Sequence, residues 1–432
     1  MLHLNSAGER TGGGLPPRRE GERLRIGMVA PPWFSLPPVG YGGTEAVVAT
    51  LVDKLVERGH DVVLVGAGRN GTSAQEFHAL YDSPPTARLG EPVPEALSAA
   101  HAHRVLRSAG VDVVHDNTLC GPLTAGSRTT PTVVTMHGPV AGENGWYHEL
   151  LCSSVSVVAI SDAQRRSNPR INWCATVHNA IDVASFPFRE EKGDHVLWMG
   201  RFTPDKAPDL AIDAARAAGR RIVLAGKLNE PAEHAFFDAH VRHRLGHDVE
   251  YVGEADAVTK RELFASARSL VFPIQWDEPF GMVMIEAMAC GTPVVATRRG
   301  SVPEVVVDGG TGVIVEHDAD VDALAVAIEA ADQVSATACR EHVQQRFDLS
   351  VMAKRYEDVY LQLIHRGLEA GRAPSLMHRQ KATGGSITDR LRDVEKGVSA
   401  ATGTLHQNDG ARTHPSPQVP QAAVSPSPSG RR

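Results

Sequence analysis

Residues 269–297, SLVFPIQWDEPFGMVMIEAMACGTPVVAT, carry the clearest structural signal in the chain. The runs 269–274 and 293–297 are rich in apolar and β-branched residues, which is typical of strands that are buried on both faces. Between them, 282–290 has the apolar character and the length of a buried helix. A strand, a helix and a second strand in this order predict a parallel β-α-β unit.

The same alternation extends along the chain in both directions. In the first half it predicts strands at 25–30, 61–65, 111–115, 131–137 and 154–161, and a helix at 44–58. In the second half it predicts further strands at 195–200, 221–226, 249–253 and 312–315, and helices at 208–218, 232–245, 258–267, 320–332 and 349–367. We therefore predict an α/β fold of two Rossmann-like domains, with any ligand between the carboxyl ends of their strands.

The domain boundary falls where this periodicity stops, near residues 180–194. We predict an N-terminal domain at 24–187, a C-terminal domain at 188–350 and a last helix at 351–368. The ends of the chain, 1–23 and 371–432, are rich in Gly, Pro, Ser and charge, and we expect both to be disordered apart from a possible short helix at 387–398.

Composition excludes several classes of protein. The 432 residues hold 44 Lys and Arg against 51 Asp and Glu, a net charge of −7, which disfavours a general nucleic-acid binder or a protein held on lipid by charge alone. The five cysteines form no C-x-x-C pair, so neither a disulfide framework nor a zinc site is predicted. With no secretory signal and no apolar run near about 18 residues, we expect a cytoplasmic protein, with peripheral attachment to a membrane as the alternative.

The first candidate site is the segment 277–291, DEPFGMVMIEAMACG. Glu278 precedes a helix that is expected to begin near Gly281 or Met282, and Glu286 follows one turn into it. A helix N-terminus can bind phosphate, and nearby carboxylates accept hydrogen bonds from sugar hydroxyls, so the pattern points to a nucleotide sugar. Alternatively, Glu278 only caps the helix and Glu286 is a solvated surface residue.

The second candidate is GRFTPDK, residues 200–206, which follows a predicted strand. Arg201 and Lys206 bracket a turn, and two cations at a strand end can neutralise a diphosphate and the charge on a leaving group. A solvated basic loop is the alternative. Two other patterns are set aside: the D-x-D of Asp318 and Asp320 more simply caps a helix, and the histidines at 240, 243 and 247 fit a solvated face.

The third candidate is the glycine-rich segment PPVGYGGTE, residues 37–45, between a strand and a helix. Gly42 and Gly43 would let backbone amides approach a phosphate or sugar closely. The G-x-G-x-x-G at 66–71 follows the wrong strand for a dinucleotide site, and we interpret it as a turn. Asp116 and His137 each lie at the end of a predicted strand, where they either line the cleft or are structural.

Taken together, residues 24–367 resemble the retaining, nucleotide-sugar-dependent glycosyltransferases of the GT-B fold, glycosyltransferase family 4. Glu278 and Glu286 match that family's E-x7-E signature within EPFGMVMIEAMACGTPVVAT, and GSVPEVV and GTGVIV follow. Further agreement comes from the GG loop, HG at 137–138, AIS at 159–161, HNAID at 178–182 and the G-R-x4-K of 200–206.

The resemblance implies a role for each matched position. Arg201 and Lys206 would bind the donor diphosphate, Glu286 the ribose, and Gly43 would approach the diphosphate from the other domain. Glu278 would hold the transferred sugar together with the backbone amides of three residues, Phe280, Gly281 and Met282. His137 would lie near the reacting carbon on the acceptor side, the base near Lys227 and 252–254, and the last helix would cross back onto the first domain.

The resemblance further implies retention of anomeric configuration, no resident metal or cofactor, and a donor and an acceptor as the small-molecule partners. Two alternatives remain open from the sequence: a nucleotide-sugar epimerase on the same fold, or a non-catalytic protein that binds a nucleotide sugar. The identity of the donor and of the acceptor is not predicted, because the loops of the first domain are the least diagnostic part of the chain.

Overall fold

The computed structural model describes residues 23–40, 42–151 and 154–372. The predicted disordered ends, 1–23 and 371–432, and the possible helix at 387–398 lie almost entirely outside these residues. Within the described part of the chain, no helix combines the length and the apolar character that crossing a membrane requires.

A seven-stranded parallel sheet forms the first half, in the order β3-β2-β1-β4-β5-β6-β7. Its strands are β1 Arg25–Val29, β2 Asp61–Gly66, β3 Glu76–Ala79, β4 Val113–Asp116, β5 Thr132–Met136, β6 Ser156–Ala159 and β7 Trp173–Thr176. The helices of this half are α1 Gly43–Glu57, α2 Pro92–Ser108, α3 Gly142–Leu150 and α4 Asp162–Ser167.

A six-stranded parallel sheet forms the second half, in the order β10-β9-β8-β11-β12-β13. Its strands are β8 His195–Met199, β9 Arg221–Ala225, β10 Val249–Tyr251, β11 Leu270–Phe272, β12 Val294–Thr297 and β13 Gly312–Val315. The remaining helices are α5 Pro208–Ala217, α6 Pro231–His240, α7 Ala257–Ser266, α8 Met282–Ala289, α9 Val302–Val305, α10 Val321–Ala330, α11 Ala336–Arg346 and α12 Leu349–Arg372.

The two sheets confirm the predicted α/β fold of two Rossmann-like halves. In each sheet the strand order reverses once, between β1 and β4 and between β8 and β11. Ligands of open α/β sheets bind at such switch points, beyond the carboxyl ends of the strands. The D-x-D pattern has the structural role we predicted, since Asp320 caps α10 by accepting from the amide of Ala323. The G-x-G-x-x-G pattern begins at the last residue of β2 and continues as an irregular loop in which no helix begins.

Several elements were missed by the sequence analysis. β3 and β7 are edge strands with half-exposed side chains, so they lack the apolar runs that mark the inner strands. α2 begins with two prolines and is rich in Ala and His, so its sequence lacks the apolar periodicity that marks a buried helix face. α3, α4, α9 and α11 were also not predicted.

Helix α12 crosses back onto the first sheet, begins at Leu349 and is longer than the predicted 351–368. The buried hydroxyl of Tyr360 lies 2.7 Å from Nδ1 of His115 on β4, and that of Tyr356 lies 2.8 Å from Oγ1 of Thr135 on β5. On the same helix, Glu357 accepts hydrogen bonds from Arg58 and from His60. Apolar packing and these polar contacts fix the helix against the first half of the chain.

The halves also meet directly through Glu304 of α9. Its carboxylate accepts hydrogen bonds from the backbone amides of Asp162 (2.7 Å) and Ala163 (2.5 Å) at the start of α4. A carboxylate at a helix N-terminus is favourable because it meets amides that have no partner within the helix. Glu304 therefore connects the two Rossmann-like halves beside the cleft.

Candidate functional site

A cavity of about 310 Å³ lies at the carboxyl edge of the second sheet, at its switch point. Its walls come from the segments that follow β8, β9 and β10, from α7 and from the loop that leads into α8. Seven predicted residues line it: Arg201, Lys206, Lys227, Glu254, Glu278, Gly281 and Met282. The other predicted residues are not in its lining: Gly42, Gly43, Val252, Gly253, Phe280 and Glu286 on the donor side, and Asp116 and His137 on the acceptor side.

Lys206 and Glu278 form an ion pair in the wall of this cavity. Both side chains are mostly enclosed, with exposed fractions of 18% and 12%. The ammonium group also lies 4.8 Å from the ring centroid of Trp276 and 5.7 Å from that of Phe272, within the range of cation–π attraction. A ligand anion that enters here meets a fixed cation already held by one carboxylate.

Arg201 is positioned by a buried carboxylate of α6. Its Nε donates to Oε1 of Glu233 at 2.8 Å, and its Nη2 donates to Oε2 of Glu230 at 3.2 Å. Oε2 of Glu233 accepts from the amides of Asn229 and Glu230, so the same carboxylate caps α6. Although burial alone would raise the pKa of Glu233, these amides and the Arg201 guanidinium hold it below its ordinary value.

We expect Glu233→Gln to weaken both the helix cap and the placement of Arg201. The neutral amide cannot accept from Asn229, Glu230 and Arg201 at once, so the free energy of unfolding should fall by about 1–3 kcal/mol. Urea unfolding measures this change, and Glu329→Gln, at an exposed position of α10, is the control. Equal stability of the two variants would contradict the role of the buried carboxylate.

Glu286 is neither solvated nor part of the cavity lining. Its carboxylate, on the buried helix α8, accepts from Nζ of Lys260 at 2.6 Å, and its side chain is only 9% exposed. Lys260, on α7, does line the cavity, and the sequence analysis missed it. The only signal for such a partner in the sequence is Glu286 itself, because a carboxylate in so apolar a helix needs one.

Hydrogen bonds from Ser301, in the neighbouring segment 300–301, hold the loop that precedes α8. The amide of Ser301 donates to the carbonyl of Glu278 at 2.9 Å, and its hydroxyl donates to the carbonyl of Phe280 at 2.8 Å. Gly281 precedes α8 with a φ of +75°, which favours glycine, and the amides of the first turn follow it. The predicted position of Glu278 before a helix N-terminus is what the structure shows.

On the side of the first sheet, the glycine-rich loop reaches the rim of the cavity. A Cβ added to Gly40 would lie 3.7 Å from Oε1 of Glu254, which belongs to the cavity wall. Gly42 precedes α1, and a Cβ on Gly43, its first residue, would meet open space. The loop therefore approaches the second half at Gly40, which was not among the predicted donor-binding glycines.

Asp116 and His137 lie at the carboxyl ends of β4 and β5. Asp116 is buried, and its Oδ1 accepts from the amide and the hydroxyl of Thr118; burial raises its pKa to about 6. His137 is half-buried, and its Nε2 lies 2.9 Å from Oδ1 of Asn117. Burial lowers the pKa of its imidazole to about 4. Asp116 thus contacts its own loop, whereas His137 has one ring nitrogen without a bond to any described residue.

Glu45, in the first turn of α1, gives a pH dependence to stability. Burial raises the pKa of this carboxyl to about 7. Between about pH 4.3, where the unfolded chain releases this proton, and pH 7, the folded protein retains it, so stability falls as pH rises through this window.

We therefore expect Glu45→Gln to gain about 3 kcal/mol of stability relative to the native chain on going from pH 4.5 to pH 8. Urea unfolding at the two pH values measures the change. The exposed Glu57→Gln, on the same helix, should show no comparable change. If the free energies of unfolding of Glu45→Gln and the native chain differ by the same amount at both pH values, the raised pKa of Glu45 is contradicted.

Two families of known proteins match consecutive parts of the chain. Residues 41–185 match "Glycosyltransferase Family 4", and residues 183–338 match "Glycosyl transferases group 1". Together these spans contain Gly42 and Gly43 of the glycine-rich segment, the segment that joins the two halves and the whole of the second sheet.

Individual proteins match over most of the chain. Alpha-maltose-1-phosphate synthase of Mycobacterium tuberculosis is 30% identical over 399 residues, which cover 78% of this chain and 99% of that protein. Glycogen synthase of the same species is 29% identical over 401 residues, covering 78% and 94%. The crystal structure of AviGT4, a glycosyltransferase involved in avilamycin A biosynthesis, is 27% identical with a TM-score of 0.61, covering 79% and 98%.

Proposed function

Because the chain belongs to the group 1 glycosyltransferases of glycosyltransferase family 4, a GT-B family, we propose that it transfers a hexosyl group from a nucleotide-diphosphate sugar, with retention, to a hydroxyl acceptor. The observation that supports this most is the cavity at the switch point of the second sheet. There Arg201, Lys206 and the start of α8 lie beside Glu278, so cations and amides for a diphosphate adjoin a carboxylate for a sugar.

We propose that the diphosphate displaces Glu278 from Lys206. The ammonium then neutralises the charge that develops on the leaving group, as Arg201 does from its fixed place on Glu233. The released Glu278 carboxylate accepts from hydroxyls of the transferred sugar, and the amides of Gly281 and Met282 add donors at the helix start.

We assign the other parts of the donor to residues around the same cavity. Glu286, held by Lys260, would accept from the ribose hydroxyls, and the base would lie near Lys227 and 252–254. Gly42 and Gly43 would approach the diphosphate from the other half, and closure of the halves would exclude water. His137 and Asp116 would face the acceptor side.

We propose that this site works without a resident metal, since Arg201 and Lys206 supply the positive charge. Among the described residues, no three His, Cys, Asp or Glu side chains are grouped as metal ligands. Transfer that is unchanged by EDTA supports the proposal, and transfer restored only by a divalent cation would overturn it.

The first experiment is a thermal shift with UDP-glucose, GDP-mannose and ADP-glucose, since a donor at about 100 times its Kd stabilises a protein by about 2.7 kcal/mol. Product analysis then follows with sugar and lipid-linked hydroxyl acceptors. Epimerised nucleotide sugar formed without acceptor would indicate an epimerase instead, and binding with neither transfer nor hydrolysis a non-catalytic protein. Full donor turnover by both Glu286→Ala and Lys206→Ala would show that the site is wrongly assigned.

A further inference from the structure

The bond between His137 and Asn117 joins the ends of two neighbouring strands. Asn117 follows β4 directly and His137 follows β5 directly, so both stand at the carboxyl edge of the first sheet. Nε2 of His137 lies 2.9 Å from Oδ1 of Asn117. The partner of a ring nitrogen determines which nitrogen of a neutral imidazole carries the proton.

The orientation of the Asn117 amide is fixed by the strand beside it. Its Nδ2 donates to the carbonyl of Val29 at 3.2 Å, and its backbone amide donates to the same carbonyl at 3.0 Å. Rotating the side-chain amide by 180° would set Oδ1 against that carbonyl oxygen, and two acceptors would face each other. Oδ1 therefore faces the imidazole, where it can only accept, and Nε2 must carry the proton.

The other ring nitrogen of His137 is consequently an acceptor. Nδ1 makes no hydrogen bond to any described residue, and it is not one of the enclosed polar atoms of the described chain that lack a partner. Burial lowers the pKa of the imidazole to about 4, so at neutral pH the ring is uncharged and Nδ1 keeps its lone pair. The neighbouring titratable groups are the buried His115 and Asp116, on β4.

We propose that Asn117 is a positioning residue that fixes His137 as the Nε2-protonated imidazole, so that His137 recognises a substrate hydroxyl through Nδ1. This inference rests on the proposed transferase function. A lone pair attracts an O–H donor and repels a phosphate or carboxylate oxygen, so the substrate group at His137 is a hydroxyl and not an anion. That hydroxyl belongs either to the transferred sugar or to the acceptor.

The tautomer is measured directly by long-range ¹H–¹⁵N correlation on protein with labelled histidine, the His137 signal being assigned by its loss in His137→Ala. At pH 7.5 the native protein should show a single Nε2-protonated ring. The apolar Asn117→Leu offers no acceptor to Nε2 and should lose that single tautomer. A native ring protonated on Nδ1, or on both nitrogens, would overturn the proposal whatever the activity.

A double-mutant cycle shows whether Asn117 acts through His137. Release of nucleoside diphosphate from the nucleotide sugar that gives the largest thermal shift is measured for each variant. Asn117→Leu and His137→Ala should each lower kcat/KM about 10-fold, as expected for one hydrogen bond, and the double variant should be no worse than His137→Ala alone. Additive losses would overturn the proposal.

The same assay distinguishes a hydroxyl of the donor sugar from a hydroxyl of the acceptor. It also distinguishes failure of this proposal from failure of the proposed transferase function. A loss already present in hydrolysis without acceptor places the hydroxyl on the donor sugar; a loss seen only in transfer places it on the acceptor. No loss in either reaction would overturn the proposal. If the native protein cleaves none of the nucleotide sugars, the proposed function fails, whereas the tautomer measurement still stands on its own.

Discussion

Replacement of Lys206 by alanine is expected to lower kcat/KM for the donor about 100- to 1000-fold, the usual loss when one preorganised electrostatic group is removed from an active site. Lys206 is mostly enclosed between Glu278 and two aromatic rings, which hold its charge at one place in the cavity wall. Initial rates of nucleoside diphosphate release measure the effect. Lys54→Ala, which breaks an ion pair on the surface of α1, is the control and should keep full activity.

The ion pair between Lys206 and Glu278 allows a double variant to test how Lys206 acts. Lys206→Ala also removes the cation beside the enclosed Glu278 carboxylate, and loss of one partner of such a pair destabilises a fold. Adding Glu278→Gln should therefore recover stability without recovering turnover. If the double variant regains turnover, Lys206 acts on Glu278 and not on the donor, and the assignment of the diphosphate site is wrong.

Gly300→Ala is expected to lower donor turnover about 100-fold, although this residue was not among the predicted site residues. A Cβ at Gly300 would lie 2.5 Å from the amide nitrogen of Glu278, 2.8 Å from the carbonyl carbon of Asp277, and closer still to the carbonyl oxygen of Glu278. Backbone cannot rotate away as a side chain can, so the segment that carries Glu278 must move. Steady-state kinetics together with urea unfolding measure both consequences.

Gly309→Ala is the matched control for this change. Both glycines have positive φ, +51° at Gly300 and +72° at Gly309, so alanine is strained by about 1–2 kcal/mol at either position. Only at Gly300 would the added methyl meet other atoms, since nothing lies within 4 Å at Gly309. Equal loss of turnover in both variants would mean that backbone strain alone explains the effect at Gly300.

The sequence predicted what short-range patterns can encode. The runs 269–274 and 293–297 contain the inner strands β11 and β12, and the apolar segment between them is α8, because period and length distinguish buried strands from helices. The strand-end placement of Arg201 and Glu278 followed from the same alternation. The edge strands β3 and β7 and the helix α2 escaped prediction because their burial depends on neighbours that the local pattern does not contain.

The tertiary structure alone decided which charged groups meet. Glu286 pairs with Lys260, 26 positions away, and Arg201 with Glu233, 32 positions away. Asn117 reaches His137 only because β4 and β5 are adjacent in the sheet, and Gly300 contacts Glu278 only because two loops pass at the same edge. The residue types of a site can therefore be read from the chain, since strand ends converge at one edge. Their partners, protonation states and fixed orientations depend on distances between segments that only folding brings together.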